Sequence, residues 1–317
     1  MKQQHGVLVL DKPRGPSSTQ CLERIKKRLK QKKIGHAGTL DPLAQGVLVV
    51  LLGQGTKLAS FLEAGHKTYR GSLRLGLETD TYDIEGQVLR KRSSDHVQPE
   101  LVKECVHSWT ELTEQQIPPF SAAKHKGKPL YALKRSGQAV PTKTKAVTID
   151  QAELLNVQLP DVSFRVSCSK GTYIRSLAHS LGMRLSCGAV LTDLVRESSQ
   201  PFTLEQAHQL SEVLDDPDGL TRRIVPLAES LPHWPRLRLS PEQVSMVQNG
   251  AQLRVDQVEG TPATQDEGVA LFVTSEGSPV ALVQARHTDS SLCWSILRGL
   301  WLPGGELVGS TSAEDTM

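Results

Sequence analysis

Neither a Cys-x-x-Cys pair nor a His-x-x-x-His pair occurs in this chain, so its five cysteines and ten histidines offer no recurring metal-ligand spacing. Cys21, Cys105, Cys168, Cys187 and Cys293 are scattered and odd in number. That argues against a disulfide framework and for a reducing, cytoplasmic setting. No apolar run is long enough to cross a bilayer. The N-terminus lacks the apolar core and small-residue cleavage site of a secretory signal. No internal repeat is visible. Gly53-x-Gly55-Thr56-Lys57 falls short of the full P-loop spacing, which removes the usual phosphate cradle of a nucleotide hydrolase. The net charge is only +3, too small by itself to name a partner.

What is present is more directive. The 317 residues suffice for two domains of ordinary size. Charge is unevenly spread. Between Leu22 and His36 there are seven Lys or Arg and one acid, Glu23, and between Phe120 and Ala146 seven basic residues and no acid. One such run is commonly a solvated face; two in a near-neutral chain are the footprint of a phosphate-backbone binder.

Periodicity outlines the elements. Residues 7–10 read as a buried strand. Ser17 or Ser18 can cap a helix whose Leu22, Ile25 and Leu29 share one face, with Arg24, Lys27 and Arg28 largely outside it. Residues 47–52 read as a further strand and 54–64 as a short helix packing Leu58, Phe61 and Leu62. From 67 to 75 apolar and polar residues alternate, placing Tyr69, Leu73 and Leu75 on one side. Residues 99–112 look helical. The basic stretch 117–146 looks like an exposed insertion with binding potential. Phe164, Val166 and Cys168 alternate as in a half-buried strand, and Gly171 turns the chain into a helix with Leu177, Ala178 and Leu181. Acids and prolines concentrate between 215 and 235, where a boundary is expected. Beyond it the chain reads as small and mostly β, with strands at 270–274 and 280–283 around a hairpin connection and another at 294–297. From Gly304 the polar end is expected to be disordered.

The densest chemical signal is Gly35-His36-Ala37-Gly38-Thr39-Leu40-Asp41-Pro42-Leu43-Ala44-Gln45-Gly46. Pro42 biases Asp41 toward an extended or turn backbone, and Gly38 and Gly46 permit tight geometry around it. Such an aspartate is either a turn residue bonded to its own backbone or a carboxylate held out for chemistry.

This segment resembles the GTLDPLATGVL signature of the TruB family, the tRNA pseudouridine-55 synthases. Five further blocks follow the family's order. Asp11-Lys12-Pro13 with Gly15 resembles DKPxG, and Lys67-Thr68-Tyr69 its K-x-Y strand. Thr79-Asp80-Thr81-Tyr82-Asp83 with Gly86 resembles TDTxDxxG. Pro118-Pro119-Phe120-Ser121-Ala122 with Lys124, Gly127 and Tyr131 resembles PPxYSAxKxxGxxxY. Ser169-Lys170-Gly171-Thr172-Tyr173-Ile174-Arg175 resembles SxGTYIR. Together the blocks cover roughly residues 6–200. Ala37 and Gln45 replace the family's threonines and Phe120 its tyrosine; none of these changes removes a group assigned to catalysis, although Phe120 loses a hydroxyl and any polar contact it made.

The resemblance implies an α+β pseudouridine synthase fold: a large mixed, mainly antiparallel sheet flanked by helices, in a catalytic domain spanning 1–230 with 117–146 as its RNA-binding insertion. A small β-barrel-like, PUA-type domain is implied at 235–303, followed by a tail at 304–317. It implies isomerisation of uridine 55 in the TΨC arm of tRNA, by a monomer needing no cofactor, metal or obligatory protein partner. Asp41 is then the catalytic carboxylate. Arg175 is the arginine that pairs with it, a guanidinium being able to favour the ionised form and fix orientation. Tyr69 is the aromatic that stacks on the target base, and Tyr173 a second aromatic of the site. Tyr173 and Arg175 point the same way only if the helix has not begun at that point. His36 matches a histidine near the displaced base, Asp83 a carboxylate near the arginine, and Lys12 and Lys57 phosphate contacts. The rival readings are a guide-RNA-dependent, dyskerin-like synthase and a non-catalytic tRNA-binding or tRNA-folding protein.

Overall fold

The computed structural model describes residues 3–308, apart from 122, 126, 137, 139–140, 142, 217, 261–266 and 289–290. Ala122 of the proline-rich block, the side chains of Lys124 and Tyr131, and the end of the expected tail, 309–317, lie outside what it describes.

The chain opens with β1 (Gly6–Lys12), α1 (Ser18–Leu29), β2 (Ile34–His36), β3 (Gln45–Leu52), α2 (Ala59–Ala64) and β4 (Lys67–Leu75). Ser17 caps α1 in a capping box with Gln20, and Lys30 closes the helix in the left-handed conformation. Leu22, Ile25 and Leu29 are buried while Arg24, Lys26, Lys27 and Arg28 face outward. Three basic residues in the last turn also complement the helix dipole. Downstream lie α3 (Pro99–His107), α4 (Leu130–Arg135) and α5 (Ile174–Arg184).

Among the described residues ten strands form one mixed, mainly antiparallel sheet. Its main order is Ile149–Gln158, Asp161–Cys168, β4, Ala189–Ser199, β3, β1, His208–Gln209. The pairs of Ala189–Ser199 with β3 and of β1 with His208–Gln209 are parallel. A second sheet of five strands runs from Arg236–Leu239 to Leu292–Gly299.

β3 explains its own unbroken apolar run. Leu48, Val50 and Leu52 belong to a core shared with Ile25 of α1 and Leu177 of α5. Val47, Val49 and Leu51 face the other way, into a core shared with Leu271, Val273 and Leu282 of the second sheet. A strand covered on both faces needs no polar alternation. β4 keeps the alternation expected of it, with Tyr69, Leu73 and Leu75 buried and Arg70 and Arg74 exposed.

Residues 305–307, at the start of the expected tail, contact the rest of the chain. Gln248 Nε2 donates to the Gly305 carbonyl at 2.8 Å, Leu302 N donates to Glu306 O at 2.8 Å, and Leu307 packs on the core of the second sheet. The stretch 117–146 is more structured than a loop: it carries α4 and leaves and returns through the strand pair Glu114–Gln116 with Thr144–Ala146.

Candidate active site

The loop between β2 and β3 is fastened at several points before it presents Asp41. Ser18 Oγ exchanges hydrogen bonds of 2.9 Å with both the N–H and the carbonyl of Leu40. Gly15 N donates to the Pro42 carbonyl, and Ala44 N to the Asp41 carbonyl. Gly46 has φ +98°, and a Cβ there would collide with the backbone of Arg196, so the start of β3 tolerates only glycine. Asp41 is thus more than a turn residue: its carboxyl group is free to leave its own backbone, and its side chain is 40% exposed.

Arg175 reaches that carboxyl group from the first turn of α5. Its Nε donates to Asp41 Oδ2 at 2.8 Å, its Nη1 to the Thr81 carbonyl at 2.9 Å and its Nη2 to the Phe120 carbonyl at 3.1 Å. Asp83 Oδ2 lies 3.7 Å from Nε. The guanidinium fork is therefore spread over three segments rather than closed on one carboxylate. One Asp41 oxygen is held, and no hydrogen bond among the described residues engages Oδ1. Asp83 differs in kind: its side chain is only 10% exposed, and it accepts from the Thr81 hydroxyl and Glu85 N. Burial raises its pKa, with Thr81 and Arg175 opposing. Of the two carboxylates, only Asp41 opens onto the cavity.

Tyr69 stands directly opposite Arg196 in the antiparallel pair of β4 with Ala189–Ser199, so the two side chains share a face. Arg196 is 1% exposed and donates to the carbonyls of Val47, Gly38 and Thr39. It pins both ends of the Asp41 loop while its charge faces Tyr69. Burial pushes the Tyr69 phenol up in pKa, against the pull of that guanidinium, and so keeps it protonated at neutral pH. Lys67, at the start of the same strand, donates to the carbonyls of Glu63 and Gly65. Burial is the first cause that brings its pKa down to about 8, with the Arg196 charge second.

Tyr173 is the N-cap of α5 and still has an extended backbone; Arg175 is two residues into the helix. Both nevertheless line the same cavity. Gln115 clamps the Tyr173 backbone from both sides, accepting from its N–H at 2.7 Å and donating to its carbonyl at 2.9 Å. Ser176 Oγ donates to the Gln116 carbonyl. The stem of the basic insertion is therefore tied to the start of α5. Burial raises the Tyr173 pKa, the Ser121 hydroxyl and Arg175 opposing.

These residues enclose a cleft of about 330 Å³. Asp41, Tyr69, Tyr173 and Arg175 line it, together with Lys67, Lys145, Lys170 and Arg196. Asp83 stands behind Arg175. Three expected residues are placed elsewhere. Lys12 is fully buried, and its ammonium donates to the Pro13 and Pro16 carbonyls, so it braces the loop after β1 instead of meeting a phosphate. Lys57 donates to the Gly299 carbonyl and links the two sheets. His36 sits in β2 opposite Val50, outside the cleft lining, with a buried Nδ1 that has no hydrogen-bond partner among the described residues. Sequence reasoning missed Arg196 and Gln115, and it quoted Lys67 in the K-x-Y block without giving it a role. An arginine following Leu194 and Val195 in a largely apolar stretch was the available signal for the first. Among the described residues no cluster of three His, Cys, Asp or Glu could hold a metal ion.

Residues 26–174 match the family model described as TruB family pseudouridylate synthase, N terminal domain. The chain is 54% identical to tRNA pseudouridine synthase B of Oleidesulfovibrio alaskensis, over 95% of this chain and 98% of that one. It is 38% identical to tRNA pseudouridine synthase B of Thermotoga maritima, over 91% and 92%. Among solved structures it is similar to a chain of a Cbf5-Nop10-Gar1 complex, with TM-score 0.69, 26% identity, and 94% and 85% of the two chains covered.

Proposed function

The chain belongs to the TruB family of pseudouridylate synthases, and from that premise we propose that it converts uridine 55 in the TΨC arm of tRNA to pseudouridine. The observation that carries this reading is the Asp41 carboxyl group: one oxygen on Arg175, the other free, opening onto a cleft walled by Tyr69 and Tyr173.

The reaction breaks the bond between N1 of uracil and C1′ of ribose, turns the base, and joins C5 to C1′; C5 loses a proton and N1 takes one up, so the product is an isomer. A carboxylate is suited to this chemistry, as in glycosidases that form a covalent sugar intermediate. A second carboxylic acid is not needed, because detached uracil can leave as an anion. That accords with a cleft in which Asp41 is the acid bonded to Arg175, Glu63 being the other acid on its lining. The target base is stacked inside the tRNA loop and must be extruded, and the lost stacking replaced. Tyr69, on a rigid strand, offers that surface; Tyr173 also lines the cleft. Lys145 and Lys170 at the rim place positive charge where the backbone flanking an extruded nucleotide passes.

We assign residues 1–230 to the catalytic part, with 117–146 as its tRNA-gripping insertion, and 235–303 to a PUA-type part. The protein acts in the cytoplasm as a monomer, with no cofactor and no obligatory protein partner. No helix among the described residues is long and apolar enough to cross a membrane. The guide-dependent alternative is disfavoured by the insertion, whose stem is bonded to Tyr173 and Ser176 and so brings a basic surface to the cleft. Incubating the purified protein with unmodified tRNA and no other RNA tests this. Pseudouridine at position 55 is expected; no product until a second RNA or protein is added would overturn it.

A further inference from the structure

Tyr82 is one of four described non-glycine residues with positive φ, at +66°. A left-handed backbone is costly for a bulky side chain, so something must hold it there. The Tyr82 ring lies flat on the His179 ring, with centroids 3.8 Å apart and planes 6° from parallel. Leu191 closes the turn from the other side, donating its N–H to the Tyr82 carbonyl and accepting from Ile84 N. Tyr82 itself is not part of the cleft lining.

Its two neighbours are the groups that steer Arg175. The Thr81 carbonyl accepts from Nη1, and the Asp83 carboxyl group lies beside Nε. His179 is four residues beyond Arg175 on α5, hence on the same helix face one turn along. The stack therefore couples the turn carrying Thr81 and Asp83 to the helix carrying Arg175. We propose that Tyr82 and His179 form a positioning pair whose stacking sets the Arg175 guanidinium, and through it the Asp41 carboxyl group, in register for the isomerisation. Neither ring touches substrate. The proposal rests on the function proposed above, and it deepens it by adding residues that act through Arg175.

The test uses single-turnover pseudouridine formation with excess protein, beside tRNA binding measured separately. Tyr82→Gly keeps the left-handed backbone without steric cost and removes the ring. Its rate is expected to fall about tenfold or more, as for a misplaced catalytic group, with tRNA affinity within about twofold of wild type. Tyr82→Phe, which keeps the stack, should restore the rate. His179→Ala should match Tyr82→Gly, and the double variant should be no slower than either, since the pair acts as one unit. A wild-type rate in Tyr82→Gly, or losses that multiply in the double variant, would overturn the pairing. Should Tyr82→Gly not fold, His179→Ala and His179→Phe decide the matter by the same comparison. Absence of product with the wild-type protein would instead remove the function itself.

Discussion

Lys67 is a cation where burial disfavours charge, and its effect on stability has a definite sign. Its folded pKa of about 8 lies below the ordinary 10.5. Between these values the unfolded chain binds more protons than the folded one, so stability rises with pH through that window. The full difference is worth roughly 3 kcal/mol. Denaturant unfolding of wild type and Lys67→Met from pH 7 upward should show this rise in wild type and lose it in the variant; equal slopes would contradict the assignment. The same residue shows where reading single positions fails. The sequence offers Lys12 and Lys57 as phosphate contacts and gives Lys67 no role of its own, yet each ammonium is bonded to backbone carbonyls. Those acceptors exist only once the chain has folded. Arg196 was hidden for the same reason: its partners are carbonyls of residues 38, 39 and 47, about 150 positions away in sequence. Asp41 and Arg175 were singled out because family motifs carried them; proline and glycine by themselves set only the backbone around Asp41.

At the scale of elements, those with strong periodicity were readable from the chain. α1 declared its apolar stripe and its cap, and β4 its alternation. β3 showed only an apolar run, and the structure supplies the reason in its two covered faces. The stretch 117–146 reads in the sequence only as an exposed insertion, because α4 is six residues long and its hairpin shorter still, below the length at which a period can be counted. What matters there is the stem strand Thr144–Ala146, which brings Lys145 to the cleft rim beside Lys170. Gly171 has φ +79°, a left-handed backbone that favours glycine, and the flexible end of Lys145 lies against it where the two segments meet. Lys145→Ala and Lys170→Ala should each reduce the slope of log affinity for tRNA against log salt by about 1. Unchanged slopes in both variants would mean that neither ammonium meets a phosphate.

At the scale of the whole molecule the two sheets are not independent. Val7, Val9, Val49 and Leu51 of the large sheet and Leu271, Val273 and Leu282 of the small one bury each other in a single core, while Phe61 packs edge-on against Trp234. Such a shared core predicts one cooperative transition. Versions keeping only Trp109, in the large sheet's core, or only Trp294, in the small sheet's, should report the same denaturant midpoint; two separate midpoints would contradict it. This coupling could not be read from the sequence, since the residues that fill the shared core are more than 200 positions apart. It fixes the strand from which the Asp41 loop is hung, and the central claim is that this one carboxyl group performs the chemistry. The most direct measurement is pseudouridine formation on unmodified tRNA by wild type and by Asp41→Asn, with tRNA binding recorded for both. Binding within about threefold and no product from the variant are expected, as for loss of a group that acts in the transition state rather than in binding. Equal product from both proteins would contradict the account.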